Sequence, residues 1–262
     1  MVKGRTGTRE WARYNVNIQI GCEQRCRYCY ARYNAVKGRF KNCTAEEWLE
    51  PVIIQSNVAM PYPKRQGVGM YPSRHDITPR NLSDSVRVLH KLLDAGNEVL
   101  LVSKPHIDCI RQICDAFRGY RKQLSLRFTI GSMDDRVLSF WEPNAPVFNE
   151  RTLCLEHAFE SGFQTSVSCE PFLDCVVDNI SGSPFGLFTV LKPYIKDSFW
   201  IGKLNQFDER VDMTGVTSEQ EERFVKPLKA AQSDEMIYTI YRQLQDEPLI
   251  RWKDSFREVI EK

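Results

Sequence analysis

Six times along the chain a short β-forming run is followed by a helical or loop segment, and this alternation constrains the fold more than any other feature. The first run, residues 15–20 (NVNIQI), alternates polar and apolar side chains and enters a loop at Gly21. Residues 68–71 form the second. A helix over 81–95 follows, with Val86, Leu89, Leu92 and Leu93 on one face, a cap at Asn81 or Ser83 and a stop at Gly96. Residues 98–102 (EVLLV) are almost continuously apolar, as expected of a parallel strand covered on both faces. Then come a helix over 107–117, a strand over 124–130 and a helix over 149–160 that Gly162 closes. A strand over 164–169, a helix over 185–195 and a strand over 199–203 complete the series. After Asn205 the pattern changes to two acidic-basic helices, around 218–231 and 234–245, then a short LIRWK run and a last helix.

Six strand–helix units imply an α/β fold built on a parallel sheet with right-handed crossovers. Eight units would close a full barrel, so six predict an open, partial (β/α)6 barrel, TIM-like, with its chemistry at the carboxyl ends of the strands. The doubly wound sheet is the alternative, but no glycine-rich dinucleotide turn follows the first strand. The expected organisation is a basic N-terminal arm (1–14), the barrel (15–205) and a helical C-terminal extension (206–262).

Cysteines stand where that glycine turn is missing. GCEQRCRYCYAR places Cys22, Cys26 and Cys29 in a C-x3-C-x2-C spacing directly after the first strand, tight enough for three thiolates to converge on one metal centre. Iron–sulfur clusters are normally held by four cysteines, and three leave one iron open, the mark of a catalytic centre. Structural zinc takes its ligands in pairs, yet the only nearby partner is Cys43 and no histidine precedes His75. An iron–sulfur cluster is the favoured reading; a zinc-binding module and unrelated thiols are the alternatives. Nine cysteines, a polar opening segment and no run of roughly 20 apolar residues predict a cytoplasmic protein without a membrane span. With 42% hydrophobic and 27% charged residues, wholesale disorder is excluded.

On these residues the sequence resembles the radical S-adenosylmethionine enzymes. The resemblance rests on Cys22-x3-Cys26-x2-Cys29, on Tyr28 before the last cysteine, and on the strand–helix units behind them. It is closer to the spore photoproduct lyase-like branch through CRYCYAR (26–32), SRHDITPRNL (73–82), EVLLVSKP (98–105), EPFLD (170–174) and WIGKLN (200–205). Together these cover residues 15–205, about three quarters of the chain. The resemblance implies that Cys22, Cys26 and Cys29 hold a [4Fe–4S] cluster whose fourth iron is chelated by S-adenosylmethionine. One electron, from a donor such as flavodoxin or ferredoxin, then cleaves the sulfonium to a 5′-deoxyadenosyl radical that abstracts hydrogen from substrate. It further implies that Tyr28 and Tyr30 serve the radical site and that Asp76 and Lys104 touch S-adenosylmethionine. One departure matters. The lyases keep a hydrogen-donating cysteine at the end of the second strand, where this chain has Pro72-Ser73, which weighs against thymine-dimer reversal.

Placement at strand ends nominates Ser73, Asp76, Ser103, Lys104, Thr129, Ser132, Ser168, Glu170, Lys203 and Asn205. A carboxylate receives an ammonium, a lysine pairs a carboxylate and hydroxyls hold a ribose, the three demands of S-adenosylmethionine; capping and loop satisfaction are the bland alternative. Ser73, Asp76, Ser103, Lys104, Thr129, Ser168, Glu170 and Tyr28 are therefore the expected cofactor-binding residues, and Tyr30, Lys203 and Cys169 the expected catalytic ones. Cys169 would act as radical quencher or hydrogen donor, and His75 is the one acid–base candidate. Residues 1–41 carry ten Lys/Arg against Glu10 and Glu23, a local balance of +8 in a chain of net charge +2. That asymmetry favours a nucleic acid or nucleotide substrate, with a small metabolite or peptide as the alternative.

Overall fold

The structure is a computed structural model, and it describes residues 7–38, 43–174 and 183–262. Its strands are β1 (Tyr14–Asn15), β2 (Gln19–Ile20), β3 (Val52–Ile53), β4 (Gly69–Tyr71), β5 (Val99–Ser103), β6 (Leu124–Thr129), β7 (Gln164–Cys169), β8 (Ser198–Ile201) and β9 (Ile250–Trp252). Among the described residues, seven of these form one sheet in the order β1-β4-β5-β6-β7-β8-β9, every neighbouring pair parallel. Helices Leu82–Asp94, Ile107–Ala116, Phe148–Glu160 and Pro184–Leu191 make the crossovers and cover the outer face. This is the expected α/β partial barrel, with one strand more than six. The seventh is the LIRWK run, whose residues Ile250–Trp252 pair with Phe199–Ile201.

The first expected strand divides in two. Asn17 is the reason: its side chain donates to Ser73 Oγ at 2.9 Å and accepts the backbone N–H groups of Ser73 and Arg74, both at 2.9 Å. The chain is thereby pinned to the end of β4, and β2 leaves the main sheet to pair antiparallel with β3.

Strand pleating sorts the side chains. Tyr71, Leu101, Leu126, Phe128, Val167, Cys169, Phe199 and Ile201 point outward into the main apolar core under the helices. Met70, Leu100 and Val102 point the other way, into a smaller cluster with Ala12 and Trp11. A half-barrel leaves its concave face open, and that face must be covered by something. Here the covering is the N-terminal arm itself. Trp11 meets Trp200 edge-on at 5.9 Å, and the guanidinium of Arg127 lies 4.8 Å from the Trp11 ring and 5.3 Å from that of Trp200. Trp11 and Ala12 carry the arm into the barrel interior, while Gly7, Arg9 and Arg13 stay exposed.

Candidate active site

The cysteine loop is held on both flanks. Gly21 has φ +86°, and a Cβ there would come within 2.5 Å of the Trp48 carbonyl, so the turn into the loop requires glycine. The next residue, Cys22, donates its N–H to that same carbonyl at 2.8 Å. Arg27 clamps the other side: its N–H reaches the Trp141 carbonyl and its guanidinium the carbonyls of Phe140, Asp212 and Thr214. Between them Arg25 sits at φ 55°, a left-handed conformation that costs a non-glycine residue about 1 kcal/mol or more and is characteristic of functional loops.

Cys22 and Cys26 are buried and Cys29 half-buried, and all three line one cavity of about 580 Å³. Burial pushes the Cys22 thiol up to about 12, with Asp76 and Cys29 adding to the effect. Burial likewise raises Cys26 well above the ordinary thiol range, partly offset by Lys104. Cys29 Sγ accepts the Arg32 N–H at 3.4 Å and caps the helix Tyr30–Val36. Among the described residues, no three His, Cys, Asp or Glu side chains converge as a formed ion-binding group. The donor set nevertheless fits an iron–sulfur centre by its chemistry. It consists of thiols alone, on one irregular loop, and their mutual repulsion as thiolates is what a bound metal would relieve.

Opposite the thiols stand the strand ends. Asp76 Oδ1 accepts the Lys104 N–H at 2.8 Å, and its Oδ2 lies 3.7 Å from the Lys104 ammonium. Burial alone would lower the Lys104 pKa, but Asp76, Cys26, Tyr28 and Glu142 together hold it well above its usual value. Thr129, Ser168, Glu170, Lys203 and Asn205 line the same cavity, as do Ser73, Tyr28 and Tyr30. Tyr30 donates to the Ser73 carbonyl and Tyr28 to the Glu142 carboxylate. Glu142 is paired with Arg151 at 2.6 Å, both 0% exposed, so Tyr28 rests on a buried ion pair. His75 also lines the cavity, but Ile18 N–H donates to its Nε2 and its Nδ1 faces the Asp76 carbonyl. Burial lowers it to about 4, so it is a neutral ring occupied by backbone on both sides and a poor proton carrier.

Three nominated residues are not brought to the cavity wall. Cys169 and Ser168 are neighbours on β7, and pleating allows only one of them to face inward. Ser168 does; Cys169 is 0% exposed in the outer apolar core. Ser103 follows Val102 in the same way and lies behind the wall, where its hydroxyl reaches Asp76 Oδ1 at 3.3 Å. Ser132 bonds Asp174. Cys109, Cys114 and Cys154 pack in the core, Cys43 packs beside Trp48, and Cys175 lies outside the described residues.

Sequence reasoning missed Glu142 and Arg151 under Tyr28, and Glu10 and Lys253 beside Glu170. Lys253 Nζ lies 2.8 Å from Glu10 Oε1 and 3.3 Å from Glu170 Oε2. No local pattern marks any of the four; the one available signal was a charged residue next to apolar runs, as in FWEP and IRWK.

No family model matches the chain. An uncharacterized protein of Acidianus two-tailed virus is 26% identical over 171 residues, covering 62% of this chain and 55% of the relative. An uncharacterized protein of Methanocaldococcus jannaschii is 22% identical over 171 residues, covering 64% and 63%. The chain thus matches less than two thirds of the length of either relative. Among solved structures, spore photoproduct lyase with bound AdoMet and dinucleoside spore photoproduct superposes with a TM-score of 0.58 at 16% identity, covering 92% of this chain and 76% of that one. SuiB of Streptococcus suis bound to S-adenosylmethionine superposes with a TM-score of 0.52 at 8% identity, covering 91% and 49%. SuiB bound to the precursor peptide SuiA gives 0.55 at 7% identity, covering 95% and 50%. No helix among the described residues is long and apolar enough to cross a membrane. The cysteine loop sits at the mouth of a parallel half-barrel that superposes along almost its whole length on these structures. The chain has the partial-barrel fold of the radical S-adenosylmethionine enzymes, in the arrangement of spore photoproduct lyase.

Proposed function

We propose that this chain is a radical S-adenosylmethionine enzyme acting on a nucleotide or nucleic acid. The observation that carries the reading is that Cys22, Cys26 and Cys29 open onto the same cavity as Asp76, Lys104, Thr129, Ser168 and Glu170. The three cysteines would hold a [4Fe–4S] cluster, and the strand ends would hold S-adenosylmethionine. Bound together there, the two supply reductive cleavage of the sulfonium and the power to abstract hydrogen from substrate.

The chain's own residues bind, orient and exclude water. Asp76 and Glu170 offer carboxylates to the ligand's ammonium, Lys104 offers an ammonium to its carboxylate, and Thr129 and Ser168 offer hydroxyls to the ribose. Tyr28, anchored by Glu142, and Tyr30, anchored on Ser73, present aromatic walls to the reacting centre. Lys203 and Asn205 line the cavity on the far side from Asp76 along the sheet and would face the substrate. Arg9, Arg25, Arg74 and Arg210 also line the cavity, and this cationic mouth favours an anionic substrate over a neutral metabolite or a peptide. Eight cysteines among the described residues are free, in keeping with the reducing cytoplasm, and a flavodoxin- or ferredoxin-type donor would supply the electron.

The test is anaerobic reconstitution of the chain with iron and sulfide, then assay of 5′-deoxyadenosine and methionine formation under a chemical reductant, with and without single-stranded DNA. Cleavage stimulated by the oligonucleotide is the expected result. A protein that carries one stoichiometric zinc and cleaves no S-adenosylmethionine would overturn the reading.

A further inference from the structure

Resting on the cofactor reading above, we infer that Lys253 is a positioning residue for Glu170, holding one carboxylate oxygen so that the other is presented to S-adenosylmethionine. Lys253 comes from the tail, at the end of β9, and is 1% exposed. A buried ammonium must be fully satisfied, and this one is. It donates to the Gly7 carbonyl at 2.9 Å, faces Glu10 Oε1 at 2.8 Å and Glu170 Oε2 at 3.3 Å, and lies 4.2 Å from the centre of the Trp11 ring.

Charge counting shows what is left over. Glu10 has a second cation, Arg257 at 2.8 Å, whereas among the described residues Lys253 is the one cation paired directly with Glu170, and Arg127 acts on it only from a greater distance. The four groups Glu10, Glu170, Lys253 and Arg257 are neutral as a set, and of its two carboxylates Glu170 is the one that lines the cavity, next to Lys253. Its Oε2 is tied to Lys253 and its Oε1 has no partner among the described residues. A carboxylate fixed at one oxygen and open at the other suits a ligand that brings a cationic donor, such as the ammonium of S-adenosylmethionine.

Gly202 supplies an independent sign that the pairing is built in. A Cβ at this position would lie 2.9 Å from Glu170 Cγ and 2.9 Å from Lys253 Cγ. The two side chains cross directly over the end of β8, and only a residue without a side chain leaves them room. The same contacts tie the cavity to the N-terminal arm, because Glu10 is both a partner of Lys253 and part of the Gly7–Glu10 turn that borders the cavity.

The experiment is anaerobic calorimetric titration of the reconstituted full chain with S-adenosylmethionine, without reductant so that no turnover occurs. Glu170→Gln and Lys253→Met should each weaken binding roughly tenfold or more. The double variant should be no weaker than the weaker single one, since the two act through one contact. Lys253→Arg, which keeps the cation, should stay within about threefold of the parent. Should Lys253→Met fail to fold, Gly202→Ala reads the same pairing and should also weaken binding with iron content unchanged. If Glu170→Gln weakens binding but Lys253→Met or Gly202→Ala does not, the inference fails while the cofactor reading stands. If Glu170→Gln has no effect, Glu170 is not the contact and the inference fails again. If the parent itself binds no S-adenosylmethionine, the proposed function falls with it.

Discussion

Asp76 meets Lys104 twice, accepting its backbone N–H at 2.8 Å with Oδ1 and facing its ammonium at 3.7 Å with Oδ2. The backbone bond fixes the carboxylate at the end of β5, and the looser ion pair leaves the ammonium able to turn toward a ligand. Lys104 also lies 5.8 Å from the centre of the Tyr28 ring, so it joins the strand-end wall to the cysteine loop. On the proposed function, replacing Lys104 by Met would remove one charge-assisted hydrogen bond to the ligand carboxylate. We expect S-adenosylmethionine affinity to fall by about 1.5–3 kcal/mol, roughly ten- to hundredfold, with iron content retained; calorimetric titration and iron analysis check both.

The cysteines divide by their place in the fold. Replacing Cys22, Cys26 or Cys29 by Ala should abolish iron binding and the brown colour of the reconstituted protein. Cys43→Ala should keep both. So should Cys169→Ala, and it should also keep S-adenosylmethionine cleavage, because that thiol points away from the cavity. Loss of cleavage in Cys169→Ala with the cluster intact would contradict the outward orientation of Cys169 on β7.

Glu142 and Arg151 form an ion pair with no solvent access, and removing one partner leaves a buried uncompensated charge. Arg151→Met should destabilise the fold by about 3–5 kcal/mol, read from denaturant midpoints. Tyr28→Phe, which removes a single hydrogen bond to the pair, should cost about 1–3 kcal/mol.

His75 makes stability depend on pH. Burial lowers its folded pKa to about 4, against about 6.5 for an exposed histidine, so the unfolded chain binds the proton first as pH falls. Its contribution is fully present above about pH 6.5 and declines progressively toward pH 4, by about 3 kcal/mol at most. Thermal melts across that window should show the loss, and His75→Gln should flatten it.

A phosphate-bearing substrate must displace counterions. Affinity for single-stranded DNA should fall with salt by about 0.7 log units per log unit for each phosphate neutralised. Arg25→Ala and Arg74→Ala, at the cavity mouth, should each reduce that slope while leaving S-adenosylmethionine affinity unchanged. No binding of an oligonucleotide even at low salt would hand the site to a small metabolite or peptide.

Much of this architecture is legible in local sequence. Residues 164–169 read as a strand and form Gln164–Cys169, and residues 81–95 read as a helix and form Leu82–Asp94. Both follow from apolar periodicity and from glycine stops that act over a few residues. The strand-end candidates were legible too, because every parallel strand points its carboxyl end to the same rim. The outward orientation of Cys169 is legible as well: with Ser168 and Glu170 as cavity residues, the residue between them must face the other side.

What the sequence by itself determined is therefore the series of strands and helices and the thiol-bearing loop after the first strand, since spacing and side-chain type act locally. Tertiary structure alone decided what surrounds Glu170. Glu10 and Lys253 are separated by almost the whole chain, and neither carries a local signal for the other. They meet because a half-barrel has an open concave face and two free edges. The N-terminal arm fills the face, the tail extends one edge as β9, and the buried charges they carry can be stable only where each finds its opposite.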